Sequence, residues 1–244
     1  GTAGILNIIL KKQNLEGFNG SFALNSGFPR ALGSNLNMNL RKNKLNFFST
    51  ISVNDAKSLG GGVFDSEYFN GINPSTFTYE DRDYDRLRKR VFLNLGMEYY
   101  FNDETSFTIS GFTRNSDNLS NNSTIIQDLD QNKVILNEFG RFQDEEEDDI
   151  SSQLTLNFTK KFNKKGHELV IEFQTEESTE DESDYASNTN TFDQSSMTDE
   201  TQKRKLLQLD YVYPVDKNTQ FELGYRGNFS DLNTDYNVLD IRNN

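Results

Sequence analysis

Residues 90–101 read Arg-Val-Phe-Leu-Asn-Leu-Gly-Met-Glu-Tyr-Tyr-Phe. Val91, Leu93, Leu95, Met97, Tyr99 and Phe101 share one parity, and Phe92, Asn94, Gly96, Glu98 and Tyr100 share the other. A helix would scatter the first set around its circumference, whereas a strand gathers it on one face. This stretch is therefore read as an amphipathic β-strand.

The same period recurs on both sides of it. Leu154, Leu156 and Phe158 alternate with Thr155, Asn157 and Thr159, and Leu169, Ile171 and Phe173 alternate with Glu168, Glu172 and Gln174. Leu207, Leu209, Tyr211 and Tyr213 oppose Gln208 and Asp210, while Phe221, Leu223, Tyr225 and Phe229 oppose Glu222, Arg226 and Asn228. Upstream, Phe18, Phe22 and Leu24, then Leu36, Met38 and Leu40, then Leu45, Phe47, Ile51 and Val53 repeat the pattern against Asn, Ser and Thr. The reading is about nine strands after Lys12, each about the 9–11 residues that cross a bilayer. No long amphipathic helix is legible.

Composition limits what these strands can build. Hydrophobic residues are 34% of the 244 and the mean hydropathy is −0.76, lean for a packed soluble core. Twenty Phe and ten Tyr are nonetheless too many for a disordered chain. A net charge of −13 argues against nucleic acid, whose phosphates need a basic face. The absence of Cys excludes disulfides, thiolate catalysis and Cys-ligated metals, and the single His167 excludes any site needing two imidazoles. The most apolar piece, Ile5 to Leu10, is far shorter than the roughly 18 residues of a spanning helix. The chain opens on Gly1-Thr2-Ala3 without Met or a basic leader, so a processed precursor or a fragment is expected.

The connections alternate short and long. Short turns rich in Asn, Asp or Gly fall near Lys42-Asn43-Lys44, Asn102-Asp103-Glu104, Asn163 to Gly166 and Asp216-Lys217-Asn218. Long loops are expected over 55–87, 116–149 and 176–201, with a shorter one over 27–33. Tyr99, Phe101, Phe162, Tyr211, Tyr213 and Phe221 crowd the short-turn ends, as an aromatic girdle would. The expected fold class is thus all-β: an antiparallel up-and-down transmembrane β-barrel, partial, with about nine strands of a larger barrel. The long loops would be extracellular and the short turns periplasmic, in the bacterial outer membrane. A soluble antiparallel sandwich with one wet face gives the same alternation and stays open. Bacterial single-chain barrels have even strand numbers, so the remaining strands are expected in a C-terminal continuation.

The first twelve residues, GTAGILNIILKK, break the alternation. Gly1, Thr2, Ala3, Gly4, Ile5, Asn7, Ile8, Ile9, Lys11 and Lys12 resemble the last plug strand of TonB-dependent outer-membrane receptors, and the stretch from Gly17 resembles the barrel start of their Bacteroidetes branch. The resemblance implies a plug strand over 1–12 and the N-terminal part of a 22-stranded barrel over 13–244. It implies outer-membrane lipid, a small solute or nutrient, the TonB complex (through a region outside this sequence) and a surface lipoprotein as partners. Cofactors, metals and catalytic residues are expected to be none.

Several charged groups invite a chemical role. Asp144 to Asp149 and Glu176 to Asp184 are carboxylate clusters; consecutive carboxylates cannot all face one cation, and no EF-hand spacing is present, so solvated surface is the plainer reading. Asp81 to Arg90 is a mixed run whose basic end could meet lipopolysaccharide phosphates or an anionic solute, or form weak cross-strand ion pairs. Glu98, Arg114, Glu172, Asp210, Glu222 and Arg226 are expected to face the lumen and touch solute or plug. Gly60-Gly61-Gly62 has no helix after it and is a poor phosphate cradle, and His167 is expected to be solvated at a short turn. The functional expectation is a receptor that takes up a solute by binding and transport and is not an enzyme. The rivals are an adhesive or structural barrel whose acidic loops bind a partner, and a barrel protease or lipase with its catalytic groups on other strands.

Overall fold

The computed structural model describes residues 16–69, 76–189, 193–216 and 218–241. Among these there is no helix. Nine strands run β1 (Gly17–Gly27), β2 (Arg30–Lys42), β3 (Leu45–Tyr68), β4 (Thr76–Asn102), β5 (Thr105–Leu129), β6 (Ile135–Lys161), β7 (Glu168–Asn188), β8 (Asp193–Pro214) and β9 (Gln220–Ile241). Each pairs antiparallel with the next in sequence, giving one sheet in the order β1 to β9. β1 and β9 do not pair with each other, so the sheet is open. The expected plug strand over 1–12 lies outside the described residues.

Directly opposed residues in a ladder share a face. Val91, Leu93, Leu95, Met97 and Tyr99 of β4 oppose Val53, Ile51, Ser49, Phe47 and Leu45 of β3, so the apolar sets of neighbouring strands merge into a belt. Asn94 and Glu98 oppose Thr50 and Asn46 on the other, polar face. Among the described residues nothing packs on the belt. Leu95 is 54% exposed and Phe229 62%, and Ala186 is the single buried hydrophobic residue among those described. A soluble sandwich would cover this face with a second sheet; here each strand contacts only its sequence neighbours.

The belt also slides. On β4 its upper limit is Val91, but on β8 it is Leu207. The row of Leu207 runs through Phe173, Leu156 and Ile109 to Met97, six residues below Val91. That is roughly 20 Å of strand over four strand spacings of together roughly 19 Å, so the belt is level only if the strands tilt by roughly 45°. Outer-membrane barrels tilt their strands by about 35–45°.

Two expectations need correction. The stretches read as long loops are paired strand: residues 55–68 and 76–87 form one ladder, 116–129 and 135–149 a second, and 176–188 and 193–201 most of a third. The strands β3 to β9 are 21 to 27 residues long, not the 9–11 of a bare crossing. The chain over 27–33 is likewise no loop: Phe28 and Pro29 alone separate β1 from β2. Measured along its strands, the β3–β4 hairpin extends roughly 40 Å past the row of the β1–β2 turn.

The short turns are built as read. Asn43 takes the left-handed conformation (φ 53°) that a two-residue hairpin requires. The Asp216 carboxylate accepts the Asn218 backbone N–H at 2.8 Å and the Val215 N–H donates to the Thr219 carbonyl at 2.8 Å, closing the β8–β9 turn. A bulge at Phe101 ends β4, and that ring stands edge-on to Tyr99 at 5.0 Å. His167 is stacked on Phe162 at 3.9 Å and bonded to the Tyr211 hydroxyl at 2.9 Å, so it belongs to the aromatic cluster and is not simply solvated.

Candidate functional site on the polar face

Register places all six charged candidates on the polar face. Glu98, Glu172 and Arg226 lie in one row with Thr108, Asn157 and Gln208 between them. The row spans five strand spacings, roughly 24 Å, so these groups do not converge. Most are held by their own sheet. The Tyr100 hydroxyl donates to Glu98 at 2.5 Å, Gln174 and Asn157 donate to Glu172 at 2.6 and 3.3 Å, and Gln208 donates to Asp210 at 2.7 Å. Arg114 reaches Asp149 at 3.4 Å, and Glu222 accepts from Gln220. Arg226 is exposed toward the polar side.

The mixed-charge run is sorted by parity. Arg82, Arg86, Arg88 and Arg90 project from the polar face of β4, while Asp81, Asp83, Asp85 and Lys89 project from the belt face. The belt face carries a row of directly opposed aspartates, Asp117, Asp148, Asp181, Asp199 and Asp235, on five successive strands. On the polar face, β5 offers only small groups between the arginines and the next strand: Ser116, Asn118, Ser120, Asn122 and Thr124. Beyond them stand Glu145, Glu147 and Asp149 of β6, opposite Asp184, Glu182 and Glu180 of β7.

Crowding of these carboxylates is visible in their protonation. Glu145 is raised above its usual range first by burial and then by Glu182, Asp184 and Glu147, with Arg86 pulling the other way. Glu180 is raised by burial and then by Glu147, Glu200, Asp149 and Glu182. Both lie above the apolar belt. Among the described residues no three carboxylates or imidazoles come together as a metal would need.

Sequence reasoning missed a groove of about 540 Å³ near the top of the polar face, between β3 and β6. Arg82, Thr124 and Arg141 share a row at its centre, and Gly62 opposes Arg82 from β3. Phe64, Tyr84 and Ile126 supply its apolar lining. The Arg82 guanidinium lies 4.6 Å over the Phe64 ring and bonds Glu80 through Nε at 2.8 Å. The Arg86 guanidinium lies 4.5 Å over the Tyr84 ring. The signal was in the sequence: Glu80, Arg82, Tyr84, Arg86, Arg88 and Arg90 are all of one parity, which a sum of charge over the run conceals. The glycine run is continuous strand here, with Gly60, Gly61 and Gly62 opposite Tyr84, Asp83 and Arg82.

Residues 160–244 match the outer membrane protein beta-barrel family. The matched stretch runs from the end of β6 through β9. No curated protein matches the chain. The single-layer up-and-down sheet, its uncovered sliding belt and this family likeness together support an outer-membrane β-barrel protein, located in the bacterial outer membrane.

Proposed function

We propose that the protein is a receptor that takes up a small solute across the outer membrane, that the polar face lines its lumen, and that the tall hairpins stand on the extracellular side. The observation that carries this reading is the parity sorting on β4, which puts four arginines on the polar face and the intervening aspartates on the belt face. A wall facing only solvent on both sides has no reason to separate its charges this way. Lipopolysaccharide lies against the belt face, so the arginines are placed for something in the lumen. The resemblance of Gly1 to Lys12 to a plug strand extends the proposal to TonB-dependent gating, with the TonB complex and a surface lipoprotein as partners. The chemistry is binding and passage, without covalent catalysis.

The test is uptake by cells with and without the protein, with and without a protonophore. The reading expects depletion of at least one solute from the medium to need both the protein and the proton gradient. An unchanged depletion profile on deletion would remove it.

A second reading, a structural or adhesive barrel, draws on the belt-face aspartate row, which rises beyond the membrane belt as an acidic outer wall. Trimming the arm formed by 116–149 separates the two: adhesion predicts loss of partner binding with solute uptake intact.

A further inference from the structure

We propose that the groove between β3 and β6 binds a small anion, one carrying a carboxylate or phosphate group next to an apolar or planar moiety. The occupant's chemistry follows from what lines the space. Three guanidinium groups, those of Arg82, Arg86 and Arg141, meet one carboxylate of the same face, Glu80, and Glu80 is engaged by Arg82. No ion pair neutralises Arg86 or Arg141 among the described residues, and both are half-buried.

That is notable in a chain of net charge −13 with acids on the same strands. Asp81, Asp83 and Asp85 alternate with the arginines and so project from the opposite face, and Asp144 does the same beside Arg141. The strand period thus turns these four acids away from the two guanidiniums, and the polar-face carboxylate in the row of Arg86 is Glu145, two strands away across Ser120 and in no direct ion pair with it. A charge that is partly desolvated without a partner costs stability. An anion entering the groove supplies the partner, and a guanidinium fork recognises carboxylate or phosphate through paired N–H donors.

The rest of the groove is shaped for a body attached to that anion. Tyr84 orients Arg86 from beneath, Phe64 does the same for Arg82, and Ile126 continues the apolar surface. Glycine at 62 leaves the β3 side open, and Asn122, Thr124 and Gln143 offer neutral hydrogen-bonding groups across the floor. Glu145 lies one row below Gln143, bounding the site on its acidic side.

The assignment rests on the uptake reading for its purpose, but binding is measured separately. The full native protein, purified in detergent, is titrated calorimetrically with citrate and with inorganic pyrophosphate, with glucose as the uncharged control. The expected result is saturable binding of an anion that weakens as salt rises and falls about tenfold or more in Arg86→Gln/Arg141→Gln. Lys57→Gln, on the belt face, should leave it unchanged. Gly62→Asp is the second variant: a Cβ there meets only the Phe64 ring, at 3.4 Å or more, so it adds a carboxylate to the groove without crowding the backbone. It too should abolish binding. No anion binding above the glucose control, or binding that survives both variants, overturns the site. Anion binding without any protein-dependent uptake would instead retain the groove and overturn the transport reading. Uptake in cells that persists with no anion bound would retain transport and overturn the groove.

Discussion

The ring of Tyr84 lies across Gly60, its partner on the neighbouring strand, so closely that a Cβ on Gly60 would overlap the phenol. Gly96 holds the ring of its own partner Phe48 in the same way on the polar face. In both pairs a glycine gives up side-chain packing so that an aromatic ring can lie flat on the sheet, and at Gly60 that ring also supports Arg86.

Replacing Gly60 by Val should therefore destabilise the β3–β4 arm by about 1–3 kcal/mol, because the ring has to leave its place. Gly62→Ala, whose Cβ finds ordinary contact distance, should stay within about 0.5 kcal/mol. Hydrogen exchange of the arm amides, which reports local opening, distinguishes the two.

The aspartate row should be a source of strain that salt relieves. Asp181 faces Asp148 on one side and Asp199 on the other. Like charges directly opposed in a ladder are destabilising by a fraction of a kcal/mol. Asp181→Asn should slow exchange in the β6–β8 arm at low salt, and the gain should vanish at high salt. A gain that persists at high salt would mean that the effect is not electrostatic.

Acidification should tighten the same arm. The carboxyls of Glu145 and Glu180 are raised above the ordinary value of 4.5. The folded state therefore binds their protons more readily than the unfolded state, so their ionised forms weaken the fold at neutral pH. That penalty lifts as pH falls through the raised values toward 4.5, and stability should rise over this interval. In Glu145→Gln/Glu180→Gln the rise should flatten, as read from exchange rates corrected for their intrinsic pH dependence.

Leu95 sits in the middle of the β4 belt, and Asn94 beside it faces the polar side. In lipid vesicles Leu95→Arg should cost about 2–4 kcal/mol, whereas Asn94→Arg should cost little. Urea titration of the vesicle-embedded protein measures both.

How much of this was legible in the sequence depended on what alternated. Where apolar and polar residues alternate, as over Val91 to Tyr99, strands and their faces follow from the residues alone, and the structure's register keeps those faces. Above the belt both faces are polar, so hydropathy carries no period, and paired strands such as 116–129 and 135–149 read as loops. What alternates there is the sign of the charge, Asp81, Asp83 and Asp85 against Arg82, Arg86 and Arg88. His167 shows the other limit. Its place against Phe162, Tyr211 and Tyr213 comes from the pairing of β7 with β8 and the closure of a neighbouring turn, which no local pattern encodes.

The central claim is that one face of this sheet meets lipid and the other does not. The sequence contains no Cys, so a spin label can be placed singly at each position from Val91 to Tyr99 of the native protein in lipid. Accessibility to oxygen, which concentrates in the bilayer, and to a water-soluble nickel chelate is then measured position by position. The account predicts a period of two, with 91, 93, 95, 97 and 99 open to oxygen and shielded from the chelate, and 92, 94, 96 and 98 shielded from oxygen. Equal access of the chelate to both parities would contradict it.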